Sequence, residues 1–187
     1  MVEERLVLVK HAMPVIVPDV PPRTWVLSDD GRLAAAGLAE QLAAFDPVAI
    51  VTSTEPKAEV TGAIIASHFG LTHSTAPGLH EHERDIVPFD TTEMFHQRIQ
   101  RLFAEPSVVV YGTESADAAH ARFEGAVRSI ADAQPAGTLV VVAHGTVISL
   151  LVARANGFDP FPFWRGLGLP SAIVVNRASF ELIEMVR

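Results

Sequence analysis

Uninterrupted apolar runs alternate along this chain with segments whose apolar residues recur at helical spacing. A run of four or more apolar residues that ends at a turn signal is typical of a strand buried on both faces, and apolar residues three and four positions apart are typical of an amphipathic helix. The predicted strands are residues 6–9, 48–51, 71–75, 138–143, 171–175 and 180–186, and the predicted helices are residues 32–45, 57–69, 91–103, 115–132 and 146–155. The alternation predicts an α/β fold, a three-layer sandwich with a mostly parallel central sheet and helices on both faces.

The first predicted helix has a start signal, for which Ser28 or Asp29 is the expected cap. Four apolar residues of this helix are expected to cover one face of the sheet: Leu33, Ala36, Leu38 and Leu42.

Three segments fit neither pattern. Residues 13–25 are rich in proline, which predicts a loop that cannot join the sheet and that helps to shape a site at the end of the first strand. Residues 108–111 fit a short strand or an apolar loop equally well. Residues 158–164 predict an aromatic loop that either lines a cleft or, more commonly for such groups, packs against the core.

Composition narrows the class of protein. The 187 residues predict a single domain spanning 1–187, and an apolar share of 49% with 19% charged residues predicts a compact globule. The longest apolar stretch, 138–153, is short for a bilayer and contains a histidine, so no membrane partner is expected. The acidic amino terminus does not resemble a signal peptide, and a cytoplasmic location is expected.

Charge and cysteine content exclude further classes. A net charge of −8 argues against nucleic acid as a partner, but a few cations in a cleft still suffice to bind a small phosphorylated substrate. The absence of cysteine excludes disulfides, thiolate nucleophiles and sulfur-ligated metal.

Polar residues follow three of the predicted strands. Lys10 and His11 follow the first, residues 53–57 follow the second, and His144 follows the run 138–143. Because the carboxyl ends of parallel strands meet at one edge of a sheet, we expect these side chains to converge there. A neutral imidazole can attack phosphorus, cations neutralise the phosphoryl oxygens, and a carboxylic acid can protonate the leaving oxygen.

The order of these motifs resembles that of the histidine phosphatase superfamily, the phosphoglycerate mutase-like enzymes. The family's Arg-His-Gly after the first strand is matched by Lys-His-Ala at 10–12, and its final His-Gly by 144–145. Its serine-containing turn is matched by Ser53, and the Arg-Ala that follows by Lys-Ala at 57–58. Its Leu-x-Glu segment is matched by 79–81. A threonine that is usual in the family is matched by Thr61, and the helix start at 27–32 is also similar.

The resemblance implies a role for each matched residue. His11 is the expected nucleophile that becomes phosphohistidine, His144 donates a hydrogen bond to the phosphate, and Glu81 is the proton donor. Lys10 and Lys57 occupy the two arginine positions of the phosphate pocket. No metal or organic cofactor is implied, and the expected activity is that of a phosphomonoesterase.

Departures from the family pattern leave alternatives open. Lysine in place of both arginines keeps the charge but loses the planar fork that grips two oxygens, so a weaker or more pH-sensitive phosphate site is expected. Ala12, in place of glycine, adds a methyl group close to the expected phosphate. A phosphoglycerate-mutase-type transfer and a weak phosphate-binding protein are therefore the alternative functions.

Two further alternatives concern single residues. Glu83 is the alternative to Glu81 as the acid, because residues two apart in an extended segment point the same way. His80 and His82 could share a face and supply half of a metal site, although two histidines are too few for a complete one.

Overall fold

The computed structural model describes residues 4–18, 20–85, 90–134 and 136–186. Within these residues the strands are β1 (Arg5–Lys10), β2 (Pro47–Ser53), β3 (His73–Ala76), β4 (Thr138–Ala143), β5 (Ser171–Asn176) and β6 (Leu182–Val186). The α-helices are α1 (Asp29–Leu42), α2 (Pro56–His68), α3 (Thr92–Ala104), α4 (Ala116–Ala133), α5 (Gly145–Asn156) and α6 (Pro160–Gly166). Short 3-10 helices span Pro22–Thr24 and Ala43–Phe45.

The strands form one sheet in the order β3-β2-β4-β1-β5-β6. The first four strands in this order are parallel to one another, whereas β5 is antiparallel to β1 and β6 is antiparallel to β5. The prediction of a mostly parallel sheet is therefore confirmed. Because β2, β4 and β1 are adjacent and parallel, their carboxyl ends lie side by side at one edge.

Helices cover both faces of the sheet, as the three-layer prediction requires. Leu6 and Leu8 belong to a core cluster on one face, whereas Val7 and Val9 belong to a cluster on the other. This alternation follows from the two-residue period of a strand. The clusters are completed by α3, α4 and α5 on the Leu6 face and by α1 and α2 on the Val7 face.

The start of α1 shows which of its residues face the core. Ser28 is the cap, and its hydroxyl accepts a hydrogen bond from the Gly31 N–H at 3.0 Å. Leu38 and Leu42 are buried as predicted, but the expectation for Leu33 was wrong, because its side chain is 74% exposed. The buried stripe is set by Gly31, Ala35, Leu38, Ala39 and Leu42. Ala36 likewise lies outside this stripe and is exposed.

Two ambiguous segments are resolved. Residues 108–111 form a loop between α3 and α4. The aromatic segment was wrongly predicted to be a loop throughout, because Asp159 caps helix α6, with its side chain accepting from the Phe161 N–H at 2.9 Å. The aromatic side chains pack, partly buried, against the larger core cluster. The proline-rich segment is a loop with one isolated bridge between Pro14 and Leu27, and residue 19 of it lies outside the described residues.

No helix among the residues that the structure describes is long and apolar enough to cross a membrane.

Candidate active site

The two histidines predicted from strand ends face each other at the carboxyl edge of the sheet. The ring centroids of His11 and His144 are 5.1 Å apart with an angle of 61° between the ring planes. The ends of their strands are joined directly, since the His11 backbone N–H donates to the Ala143 carbonyl at 3.0 Å. Both residues are buried, at 8% and 0% exposure. The structure therefore brings together two residues from opposite ends of the sequence.

A hydrogen bond to the backbone fixes the orientation of the His11 ring. Its Nδ1 lies 2.8 Å from the Ala12 carbonyl oxygen, which can only accept, so Nδ1 carries the proton and Nε2 keeps a free lone pair. Burial, followed by the nearby His144 and Lys57, holds the pKa of His11 well below its usual range. His11 is therefore a neutral imidazole, the form that can act as a nucleophile.

His144 is the cap residue of α5, and its Nε2 points towards the end of β2. This atom lies 2.9 Å from Ser53 Oγ and 3.5 Å from Glu55 Oε1, while Nδ1 is buried without a partner. Burial and the nearby Lys57 lower the pKa of His144 well below its usual range. Leaving a buried N–H unpaired costs about 1–3 kcal/mol, so the proton belongs on Nε2, which then donates into the site.

The two predicted cations, Lys10 and Lys57, are the only lysines in the chain, and both are close enough to His11 to lower its pKa. The Lys10 ammonium donates to the Leu167 carbonyl at 3.2 Å, and burial lowers its pKa to about 8 despite the attraction of Glu81. Lys57 is 5% exposed and donates both to the Pro22 carbonyl at 2.7 Å and to the Glu55 carboxylate. The proline-rich loop thus contacts the site, as predicted.

Helix α2 fixes the loop that carries His11. The Ala12 N–H donates to Thr61 Oγ1 at 3.1 Å, and the Thr61 hydroxyl donates in turn to the Lys57 carbonyl at 2.7 Å.

Gly145, the residue after His144, leaves room for two side chains, because a Cβ there would lie 3.2 Å from Lys10 Cε and 3.3 Å from Trp164 Nε1. These contacts explain why a threonine and a glycine occupy positions 61 and 145.

Glu81, rather than Glu83, turns into the site. Its carboxylate accepts from the backbone N–H groups of His82 at 2.9 Å and Thr146 at 3.1 Å, and Arg84 Nη2 lies 3.7 Å away. Burial alone would raise the pKa of Glu81, but Arg84 and these two N–H donors hold it well below its usual range. The Glu83 side chain is 51% exposed and interacts with His80 and Thr113.

Arg122, on α4, holds the loop that carries Glu81. Its guanidinium donates to the carbonyls of Gly78 and His80 at 2.9 Å and of Glu81 at 3.2 Å, and it pairs with Glu114 at 2.5 Å. Sequence reasoning missed this residue because nothing in a helical stretch marks which arginine reaches a loop more than forty residues away in sequence. The loop is therefore positioned by a side chain from another element.

Glu55 is the second residue that the sequence did not single out. It lies in the turn after β2, is 6% exposed, and contacts Lys57, His144 and the Glu81 backbone. The only available signal was its position two residues before Lys57 in the segment 53–57.

His80 and His82, suggested by the sequence as half of a metal site, each contact another group. His82 Nε2 lies 2.8 Å from the Glu114 carbonyl oxygen, and His80 lies 3.4 Å from Glu83. Across ranges 4–18, 20–85, 90–134 and 136–186, no three histidine, aspartate, glutamate or cysteine side chains are grouped so that they could hold a metal ion.

Fold and site together define an α/β protein with a buried histidine pair, two lysines and two carboxylates at the carboxyl edge of its sheet. The chain belongs to the histidine phosphatase superfamily (branch 1), whose sequence profile matches residues 17–180. The matched region contains Lys57, Glu81 and His144 but begins after His11. No protein of curated function matches the sequence significantly.

Several solved structures share the fold. A mycobacterial glucosyl-3-phosphoglycerate phosphatase is 22% identical, with 96% of each chain covered and a TM-score of 0.77. YhfR of Bacillus stearothermophilus is 22% identical, with 98% of this chain and 96% of that chain covered and a TM-score of 0.72. The alpha-ribazole phosphatase of Shigella flexneri is 22% identical, with 97% and 95% covered and a TM-score of 0.70.

Proposed function

We propose that this protein is a phosphomonoesterase that works through a phosphohistidine on His11. The observation that carries the proposal is the geometry of the histidine pair: His11 presents the free lone pair of Nε2, and the ring of His144 faces it at 5.1 Å. The neutral imidazole of His11 can attack phosphorus, and the neutral imidazole of His144 can donate a hydrogen bond to a phosphoryl oxygen. The two lysines can offset the negative charge of the phosphoryl group.

The reaction divides into two displacements. In the first, a bond forms between His11 Nε2 and phosphorus, the bond from phosphorus to the ester oxygen breaks, and that oxygen takes up a proton as the alcohol leaves. In the second, water attacks phosphorus, the phosphorus–nitrogen bond breaks and phosphate is released. His144, Lys10 and Lys57 bind the phosphoryl oxygens in both steps. The imidazole supplies the nucleophile, so the proposed route uses no metal ion or organic cofactor.

Glu81 is the proposed proton carrier. In the free protein it is a carboxylate, because its backbone donors and Arg84 stabilise the charged form. A bound phosphoryl group brings negative charge close to it and so favours uptake of a proton, which Glu81 then donates to the leaving oxygen. The resulting carboxylate can accept a proton from the attacking water in the second step.

Relatives of the same fold support a phosphatase. Several structural neighbours are named as phosphatases or hydrolases, and the mycobacterial glucosyl-3-phosphoglycerate phosphatase has been solved with inorganic phosphate and with VO3. Both ligands are phosphoryl-like anions that a pair of imidazoles and two cations can bind. We propose that the present site binds the same class of anion.

The experiment that tests the proposal combines turnover with trapping of the intermediate. Wild type, His11→Ala and the control His68→Ala, which alters an exposed histidine at the end of α2, are compared on an aryl phosphate and on a radiolabelled phosphomonoester quenched in alkali. We expect the His11 variant alone to lose alkali-stable label and at least about 10³-fold in kcat. Equal rates in all three proteins would exclude His11 as the nucleophile.

A weak phosphate-binding protein is the second candidate, because Lys57 is already paired with Glu55. Phosphate binding with no turnover and no labelled His11 would establish it. Isomerisation of added phosphoglycerates, followed in the same samples, would instead establish the mutase alternative.

A further inference from the structure

The Glu55 carboxylate is held by donors of the candidate site. Its Oε2 accepts from the Lys57 ammonium, its Oε1 accepts from the Glu81 backbone N–H at 2.9 Å, and Oε1 is also 3.5 Å from His144 Nε2. The Lys57 ammonium and the Glu81 backbone N–H, which donate to this carboxylate, are donor types that also bind phosphoryl oxygens. The nearer partner of His144 Nε2 is Ser53 Oγ, at 2.9 Å. The site thus already contains an anion of its own.

Burial leaves little room for a second anion on the same donors. Glu55, Lys57 and His144 are 6%, 5% and 0% exposed. A phosphoryl group that reaches His11 and also bonds to Lys57 and His144 must therefore take over donors that now serve Glu55.

Charge leads to the same conclusion. The Glu55 carboxylate neutralises Lys57 within the pair, and a phosphate placed beside both meets repulsion from the carboxylate as well as attraction from the ammonium. Glu81 adds a second buried carboxylate on the same side of the histidine pair. Arg84, 3.7 Å from Glu81, offsets that second carboxylate, so the loss of positive charge falls on Lys57, which Glu55 neutralises.

From these contacts we infer that Glu55 is an internal competitor of phosphate: in the free protein its carboxylate occupies Lys57 and lies 3.5 Å from His144 Nε2, and it must be displaced when a phosphoryl group binds to these two donors. The inference rests on the proposed function, which assigns the same two donors to phosphate. Its consequence is weak retention of inorganic phosphate, which favours release of the product and disfavours a long-lived complex. Glu55 is in this sense an affinity-determining residue rather than a catalytic one.

The test measures phosphate binding without turnover. Wild type, Glu55→Gln and Glu55→Leu are titrated with inorganic phosphate and with orthovanadate by calorimetry, and the rise in Tm at one fixed phosphate concentration is recorded for each protein. Glu59→Gln is the matched control, because it removes the same charge one turn further along α2. The rise in Tm at one fixed phosphate concentration keeps the comparison valid for a destabilised variant, because phosphate that binds only the folded state stabilises it by an amount that grows with the logarithm of its affinity.

We expect both Glu55 variants to bind phosphate at least about tenfold more tightly than wild type and to show the larger rise in Tm, with Glu59→Gln unchanged. Phosphate affinity that is equal or weaker in both Glu55 variants overturns the inference. That result would leave the proposed function intact, provided that wild type still forms alkali-stable phosphohistidine on His11. If wild type forms none, the proposed function is contradicted, whatever the phosphate affinities are.

Discussion

Lys10 offers the sharpest test of how this site handles charge. Burial lowers its pKa from 10.5 to about 8, only partly offset by Glu81. As the pH rises through 8 the ammonium loses its proton, so the site loses a cation and binds phosphate less well. With a pKa of about 8, roughly nine-tenths of Lys10 is charged at pH 7 and roughly a tenth at pH 9. If only the charged form binds, kcat/KM falls about tenfold between these values.

The substitution Lys10→Arg removes this titration, because a guanidinium stays protonated throughout the range. We expect the decline of kcat/KM above pH 8 to disappear in Lys10→Arg and to persist in Lys57→Arg, which retains Lys10. Whatever the absolute rate of the variants, the shape of the pH profile decides the outcome. A decline that survives unchanged in Lys10→Arg refutes the assignment.

The ionisation of Lys10 can also be followed directly. Because the chain contains two lysines, reductive methylation with ¹³C-formaldehyde labels only these two side chains and the terminal amine. The signal that is missing in Lys10→Arg identifies Lys10, and its chemical shift is followed from pH 6 to 11. A midpoint near the ordinary lysine value of about 10.4 would contradict the effect of burial.

Three further predictions concern the residues around the site. Ser53→Ala removes the hydroxyl 2.9 Å from the second imidazole, and we expect a loss of about 1 kcal/mol, or roughly fivefold in kcat/KM, with little change in Tm. Arg122→Ala frees the loop that carries Glu81 and is expected to lower the free energy of unfolding in urea by about 3 kcal/mol and to lower kcat. The control Arg101→Ala removes a surface ion pair whose arginine side chain is 62% exposed, and it is expected to cost under about 1 kcal/mol. Gly62→Ala places a methyl group against the Thr52 side chain of β2 and is expected to lower the free energy of unfolding by about 1–3 kcal/mol. Gly37→Ala, where a Cβ meets no neighbouring side chain within 4 Å, is expected to raise it by about 0.5–1 kcal/mol. The opposite order of the two variants in thermal unfolding would contradict the packing.

The sequence predicted the order of the elements because strand and helix periods are local properties of a chain. The apolar runs at β1 and β4 are so continuous that their burial on both faces follows directly, and Leu6 and Val7 do lie on opposite faces. The same logic brought His11 and His144 together, since parallel neighbours end at a common edge. Leu33 shows the limit, because a helix full of small apolar residues has no unique buried face until it docks.

The Leu-x-Glu match favoured Glu81 over Glu83, but the two-residue alternation could not separate them, because it gives both side chains the same direction and holds only in a regular strand. The segment that carries Glu81 and Glu83 is a loop and not a strand. Arg122, from helix α4, donates to backbone carbonyls of this loop, and the Glu81 side chain points into the site, where it accepts from the Thr146 N–H. Tertiary structure alone also decided that Glu55 pairs with Lys57, since the contact depends on how the turn after β2 folds back over the site.

The sequence by itself therefore determined the α/β fold, the edge at which the chemistry lies, and the residue types assembled there. Tertiary structure decided which carboxylate faces the histidines and which cation is already neutralised. The physical reason is that backbone periodicity places a residue on an element, whereas the direction and ionisation of a buried side chain depend on every group packed around it.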